Sequence, residues 1–303
     1  MRVMCFEDGL AAVGRVARLR APPVVPASAV GGWAWCPLKA WHNTTLFNAG
    51  WLDVEALDEA ALKGLVLLWV SEFAKGFDRR VLIGLAVHGE KVDVKGAAEG
   101  YAAAVNLVRR GSSYLVEMLR SGVIRSPGLI DPTDFSQQLE RYRAAEDIEE
   151  YFRKWAWPMI ARRVRRGYFI IGVPDRVEWT DGGLRVVEVK TVGDPSYVFK
   201  KMKAYWAAKY QLGAYAWILE ERWPVEEAVL EFRDRRGGIV SRQKLDPGEL
   251  VEWFETEVIV NVADRLASEE PPGAHESRIC KGCEYGGLYY RIVERAKILS
   301  GEA

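Results

Sequence analysis

Between residues 169 and 191 apolar and polar positions alternate on either side of an Asp-Gly step, the pattern of two half-buried strands joined as a hairpin. Folding the chain about Asp181 and Gly182 sets Trp179 opposite Leu184, Val177 opposite Val186 and Val173 opposite Lys190 on one face. Glu178 then faces Arg185, with opposite charge, on the other. In the same register Asp175 stands opposite Glu188, although Pro174 removes a ladder donor and can introduce a bulge there. Elsewhere the period is helical. Residues 55–121 and 135–166, rich in Ala, Leu, Glu and Arg, read mainly as helix. A further helix is predicted over 199–221, with Gln211 and Tyr215 on one face and Ala204 and Ala208 nearby. Strands follow at 228–232 and 239–245, joined by Gly237-Gly238. A last helix then opens with Asp246 as N-cap, Pro247 and Glu249, and Pro271-Pro272 ends the segment. The first third reads as loop-rich, broken by Pro22, Pro23 and Pro26, with a short helical segment opening at Trp33-Ala34-Trp35-Cys36-Pro37.

A chain of 303 residues with 49% hydrophobic residues can bury a large core. The richest apolar stretch, Gly64 to Val70, is soon interrupted by Glu72 and falls well short of the roughly 20 residues that span a bilayer. Glu7 and Asp8 interrupt any secretory signal, so no membrane association and a cytoplasmic location are expected. Lys plus Arg equals Asp plus Glu at 42 each, so a polyanionic partner must be met locally rather than by bulk charge. Two basic clusters flank the hairpin: Arg162, Arg163, Arg165 and Arg166 before it, and Lys200, Lys201, Lys203 and Lys209 after it. They serve either as phosphate contacts or as solvated helix faces. Four cysteines do not make a disulfide scaffold, and the absence of repeats or a low-complexity linker favours one compact unit.

Two carboxylates facing each other across a hairpin would have Cβ atoms roughly 4.5–5.5 Å apart, and like charges so placed repel unless a cation lies between them. A hard divalent cation with oxygen ligands removes that conflict. Because strand side chains alternate, Glu188 and Lys190 share a face while Val187 and Val189 turn the other way. Asp, Glu and Lys therefore converge, unless the hairpin is simply amphipathic with solvated charges.

With His88 in Ile83-Gly84-Leu85-Ala86-Val87-His88 and with Gln211-Leu212-Gly213-Ala214-Tyr215, these residues form an ordered set: histidine, aspartate, Glu-x-Lys and Gln-x-x-x-Tyr. The set resembles the RecB-like branch of the PD-(D/E)xK nucleases. The resemblance implies an α/β (α+β) fold with a restriction-endonuclease-like core, a mixed central sheet flanked by helices and a large helical insertion. It implies that His88, Asp175, Glu188 and the backbone carbonyl of Val189 hold Mg²⁺ or Mn²⁺. Lys190 would orient or activate the attacking water, and Gln211 and Tyr215 would support the lysine and the strand being cut. Taken singly, His88 is also an ordinary core or surface histidine, and Gln211 and Tyr215 are ordinary helix-face residues.

Cys36-Pro37-Leu38-Lys39-Ala40-Trp41 upstream and Cys280-Lys281-Gly282-Cys283 downstream look like the cysteine clasp of the CRISPR-associated iron-sulfur exonucleases, the fourth Cas family. That resemblance implies a 4Fe-4S cluster that ties the chain ends together. Where a further cysteine is expected this chain has Tyr289, so Cys5 or His275 supplies the fourth ligand, the site holds a smaller cluster or zinc, or it has decayed. Cys5 also reads as a small buried hydrophobe. The implied layout is a single nuclease domain over 1–303: a cysteine region at 1–44 and 270–292, a helical region at 45–165 carrying His88, and the catalytic core at 166–268. The implied task is exonuclease, and also endonuclease, action on single-stranded DNA or single-stranded ends before spacer integration, beside CRISPR integrase proteins. A helicase-associated repair or recombination nuclease, a non-catalytic nucleic-acid-binding assembly subunit and a redox protein are the competing readings.

Overall fold

The computed structural model describes residues 23–48, 132–193, 202–270 and 272. All of these fall within one of the chain's two compact units, residues 20–51 with 130–274. In chain order the described elements are β1 (Val24–Pro26), α1 (Ala27–Trp33), α2 (Pro37–Phe47), α3 (Pro132–Ala144), α4 (Ile148–Lys154), β2 (Ile160–Arg163), β3 (Phe169–Gly172), β4 (Arg176–Trp179), β5 (Leu184–Thr191), α5 (Met202–Leu219), β6 (Val225–Arg233), β7 (Ile239–Leu245) and α6 (Pro247–Trp253). A π-helix, Phe254–Ala263, continues α6, and the short α7 (Asp264–Leu266) follows.

The strands form two mixed sheets, β1-β3-β2 and β4-β5-β6-β7, among the described residues. β1 runs parallel to β3 and β2 antiparallel to it. In the second sheet the outer pairs are antiparallel and β5–β6 is parallel. A parallel pair needs a crossover, and α5 lies in the chain between β5 and β6. The expected central sheet is thus divided at Val173–Asp175, where Pro174 offers no N–H to a ladder.

α5 is apolar on nearly every side because it packs against α1, β2, β3, β5, β6, α6 and the π-helix. Leu212, Ala214, Ala216, Ile218 and Leu219 are fully buried along it. The approach of α1 is tight: a Cβ on Gly31 would lie 2.8 Å from the backbone oxygen of Ala207 and 3.4 Å from Gln211 Oε1. At α6 the N-cap is as the sequence predicts, with Asp246 Oδ1 accepting from Glu249 N at 2.8 Å and Pro247 in the first turn.

Three sequence expectations need correction. The helix predicted to reach Arg166 ends at Lys154, and Ile160–Arg163 is a strand. Pro158 disfavours helical geometry in the residue before it, and Gly167, at φ +96°, closes the hairpin from β2 to β3. The proline-broken N-terminal stretch contains a strand, β1, whose backbone is held by Asn48: Val24 N donates to Asn48 Oδ1 at 2.7 Å and Asn48 Nδ2 donates to Val24 O at 2.6 Å. Helix also begins earlier than Trp33, at Ala27. The helix predicted over 55–121 lies outside the described residues. Among the described residues no helix is long and apolar enough to cross a membrane.

Candidate active site

The β4–β5 hairpin has the register that alternation predicts: Trp179 pairs with Leu184, Val177 with Val186 and Glu178 with Arg185. The last pair couples an ion bridge, Arg185 Nη1 to Glu178 Oε2 at 2.9 Å. Paired rungs end at Arg176 with Val187, so the predicted pairs Asp175–Glu188 and Val173–Lys190 lie beyond the ladder. The backbone break at Pro174 instead lets Asp175 use its side chain: Oδ2 accepts from the Val189 N–H at 2.7 Å, satisfying a donor that β4 is too short to reach. Asp175 and Glu188 still meet, because the neighbouring Asp175 carboxylate is one of the influences on Glu188 ionisation.

Glu188 is fully buried, at 0% exposure. Parity places it with Leu184, Val186 and Lys190 on the face of β5 that turns to α5. Burial is the main force pushing its carboxyl up to about 8; the Lys190 ammonium opposes this and the Asp175 charge adds to it. Lys190 is in ion-pair contact with Glu188 Oε1, yet neither Glu188 oxygen receives a well-aligned hydrogen bond.

A relay from α5 fixes the lysine. Lys190 Nζ donates to Gln211 Oε1 at 2.8 Å, and Gln211 Nε2 donates to the Tyr215 hydroxyl at 2.8 Å. Tyr215 is only 3% exposed, and burial, reinforced by the Glu188 charge, raises its phenol above the ordinary range. The i, i+4 spacing of Gln211 and Tyr215 is what stacks the two side chains on one helix face. Gly172 makes room for the ring: a Cβ there would fall 2.4 Å from Tyr215 Cε1. Sequence reasoning missed Gly172, although a glycine ending an apolar strand signals close approach of another group.

Behind the site, on the opposite face of the sheet, Glu231 is also fully buried. Burial acts to raise its carboxyl, but hydrogen bonds from Arg242 and Arg233 and the charge of Arg176 outweigh it and hold the group down to about 2. Arg242 Nη2 donates to Oε2 at 2.8 Å, Arg233 Nε to Oε1 at 2.6 Å and Arg176 Nη2 to Oε2 at 3.3 Å. Arg176 directly follows Asp175, and Glu231 pairs with Val189 in the β5–β6 ladder, so this cluster anchors both chain segments that frame the site. A lone Glu in Val-Leu-Glu-Phe was its only sequence signal.

The remaining predicted residues divide. Cys36 is a free, half-buried thiol between α1 and α2. His88, Cys5, Cys280, Cys283, His275 and Tyr289 lie outside the described residues. Of the arginine cluster, Arg162 donates to Trp217 O at 2.6 Å and Arg166 pairs with Asp264 at 2.8 Å, so these two serve the fold; Arg163 and Arg165 are exposed. No group of three or more His, Cys, Asp or Glu converges among the described residues. The two acids that do meet fit a hard divalent cation: one is buried without aligned donors, and the other adds a second negative oxygen set beside it.

A family model described as the PD-(D/E)XK nuclease superfamily matches residues 103–288. No curated protein and no solved structure matches the chain.

Proposed function

The chain belongs to the PD-(D/E)XK nuclease superfamily, a group of metal-dependent nucleases with a restriction-endonuclease-like fold, and from that premise we propose that it cuts DNA phosphodiester bonds at the end of β5. The observation that carries the proposal is Glu188: a fully buried acid whose oxygens make no aligned hydrogen bond, beside Asp175 and in ion-pair contact with Lys190. Such a group is costly in a metal-free protein and is explained by a cation it was built to receive.

In this reading Asp175, Glu188 and the Val189 carbonyl would hold Mg²⁺ or Mn²⁺, a set to which the family resemblance adds His88. When bound, the ion supplies Lewis-acid polarisation of the scissile phosphate. Lys190 places a positive charge where negative charge develops on that phosphate and where the attacking water gives up its proton. Gln211 keeps the amine aimed, since its carbonyl oxygen faces Lys190 only while its amide nitrogen is engaged by Tyr215. Tyr215 stays protonated throughout the working pH range because burial and Glu188 raise its phenol.

The narrower assignment is processing of single-stranded DNA or single-stranded ends before CRISPR integration, with an iron-sulfur cluster on Cys36, Cys280, Cys283 and a fourth ligand such as Cys5. It is supported by cysteine spacing alone, and a helicase-associated repair nuclease would satisfy the same active site. A cleavage assay on single-stranded DNA with Mn²⁺ tests the chemistry. Lys190→Ala is expected to lower the rate by about 10²–10⁴-fold; a variant as fast as the wild type would remove Lys190 from the mechanism.

A further inference from the structure

One residue before Gln211, α5 turns a second, aromatic surface outward. Tyr210 and Trp253 are stacked, with ring centroids 5.5 Å apart and planes 15° from parallel. Trp206, one helical turn earlier, lies 6.0 Å from Trp253 at 45°. Lys209 Nζ sits 4.2 Å from the Trp253 centroid and 5.1 Å from that of Trp206, a cation-π contact that stiffens the group. All three rings are half-buried rather than sealed in the core.

These rings wall an open groove of about 450 Å³ whose rim carries Lys203, Glu257 and Asn261. Its volume is in the ~300–1,000 Å³ range of small-ligand sites. Glu257 and Asn261 come from the π-helix Phe254–Ala263. Ten residues of π-helix are unusual, and π geometry is found disproportionately at functional sites. The helix is pressed against α5 at Gly213, where a Cβ would lie 2.9 Å from Phe254 Cδ2.

We infer that this groove takes an unpaired base of the single-stranded nucleic acid whose phosphate is cut beside Glu188, with Trp206 as the stacking platform and Lys203 on the adjoining phosphate. The inference rests on the nuclease reading of the Glu188 site. Two features favour a base over a peptide. Tyr210 and Trp253 already form a stack, and the Trp206 ring, tilted 47° and 45° to them, supplies a further π-face against which a base can lie. The rim pairs an ammonium with a carboxylate and an amide, matching a phosphate on one side and the polar edge of a base on the other. The groove and the relay share one rigid helix, but Trp206 precedes Gln211 by five residues, roughly 7.5 Å of rise and about 140° of turn, so the groove lies round α5 from the relay and takes a base of the strand beyond the nucleotides at the cut.

The test compares two fluorescent probes on the full chain in EDTA, where cutting is stopped: a thymidylate oligomer of about 12 nucleotides and an abasic oligomer of equal length. Wild type should hold the thymidylate probe on the order of tenfold more tightly. Trp206→Leu, which keeps an apolar side chain but removes the ring, should bring the two affinities together, and Trp206→Phe should restore most of the difference. A Trp206→Leu protein that fails to fold is replaced by Trp253→Leu, with the same expectation. Equal affinity of wild type for both probes, or an undiminished preference in the ring-deleted variant, overturns the groove assignment. With Mn²⁺ added, either of those results alongside cleavage by wild type leaves the nuclease reading standing. A wild type that neither binds nor cuts the thymidylate probe overturns both.

Discussion

Glu188 and Lys190 are two residues apart in one strand, and the pairing of a buried acid with a held amine gives each a measurable signature. The ordinary glutamate value is 4.5 and the folded value about 8. Across that interval the folded protein keeps a proton that the unfolded chain has released, so stability of the metal-free protein falls as pH rises from about 4.5 to about 8. Thermal melting in EDTA should record this loss for wild type, on the order of a few kcal/mol, and little of it for Glu188→Gln, whose side chain carries no charge. Parallel curves for the two proteins would mean that Glu188 is solvated. For the relay, Tyr215→Phe and Gln211→Ala should reduce kcat by roughly tenfold with little change in KM, because they disturb the aim of Lys190 rather than the binding of the strand. These side chains were legible in the sequence: strand parity put Glu188 and Lys190 on one face, and the i, i+4 spacing joined Gln211 to Tyr215. The reach of Asp175 to Val189 was not, because a proline-induced break in a ladder is set by the backbone around it.

At the scale of elements, the site depends on where strands stop. β3 ends at Gly172 and β4 begins at Arg176, and the unpaired stretch between them frees Asp175 from the ladder. Gly172 also leaves the space that Tyr215 occupies. Gly172→Ala should destabilise the fold by about 1–3 kcal/mol, read by denaturant unfolding, and should depress cleavage further by moving the relay; unchanged values for both would show that the ring moves aside freely. The hairpin, α5, β6, β7 and the capped start of α6 were readable because each has a local cause: alternation, helical periodicity, a glycine turn or an Asp-Pro-Gly-Glu cap. β1 and β2 were not. Val24–Pro26 is a strand only because β3 offers a parallel edge and Asn48 meets its backbone, and Ile160–Arg163 only because β3 lies beside it.

At the scale of the whole molecule, the β4–β7 sheet carries Glu188 and Lys190 on the face toward α5 and a charge lattice on the other. Glu231 there is clamped by Arg176, Arg233 and Arg242, and Glu227 pairs with Arg185 and Lys244 at 2.7 Å and 3.0 Å. Glu231→Ala leaves three guanidiniums facing one another. Since these are half-solvated, the expected cost is on the order of 2 kcal/mol rather than that of an enclosed pair, seen as a lower unfolding midpoint at pH 7. That lattice was invisible to charge counting, which returns a balance of 42 against 42 and says nothing of arrangement. The proposed cleavage requires that Asp175 and Glu188 hold a divalent ion. The most direct measurement is the initial rate of single-stranded DNA cleavage against Mn²⁺ concentration, for wild type and for Glu188→Gln. Wild type should cut in proportion to bound Mn²⁺ and stop in EDTA, with the variant at background throughout; equal rates for the two proteins, or undiminished cutting by wild type in EDTA, would contradict the account.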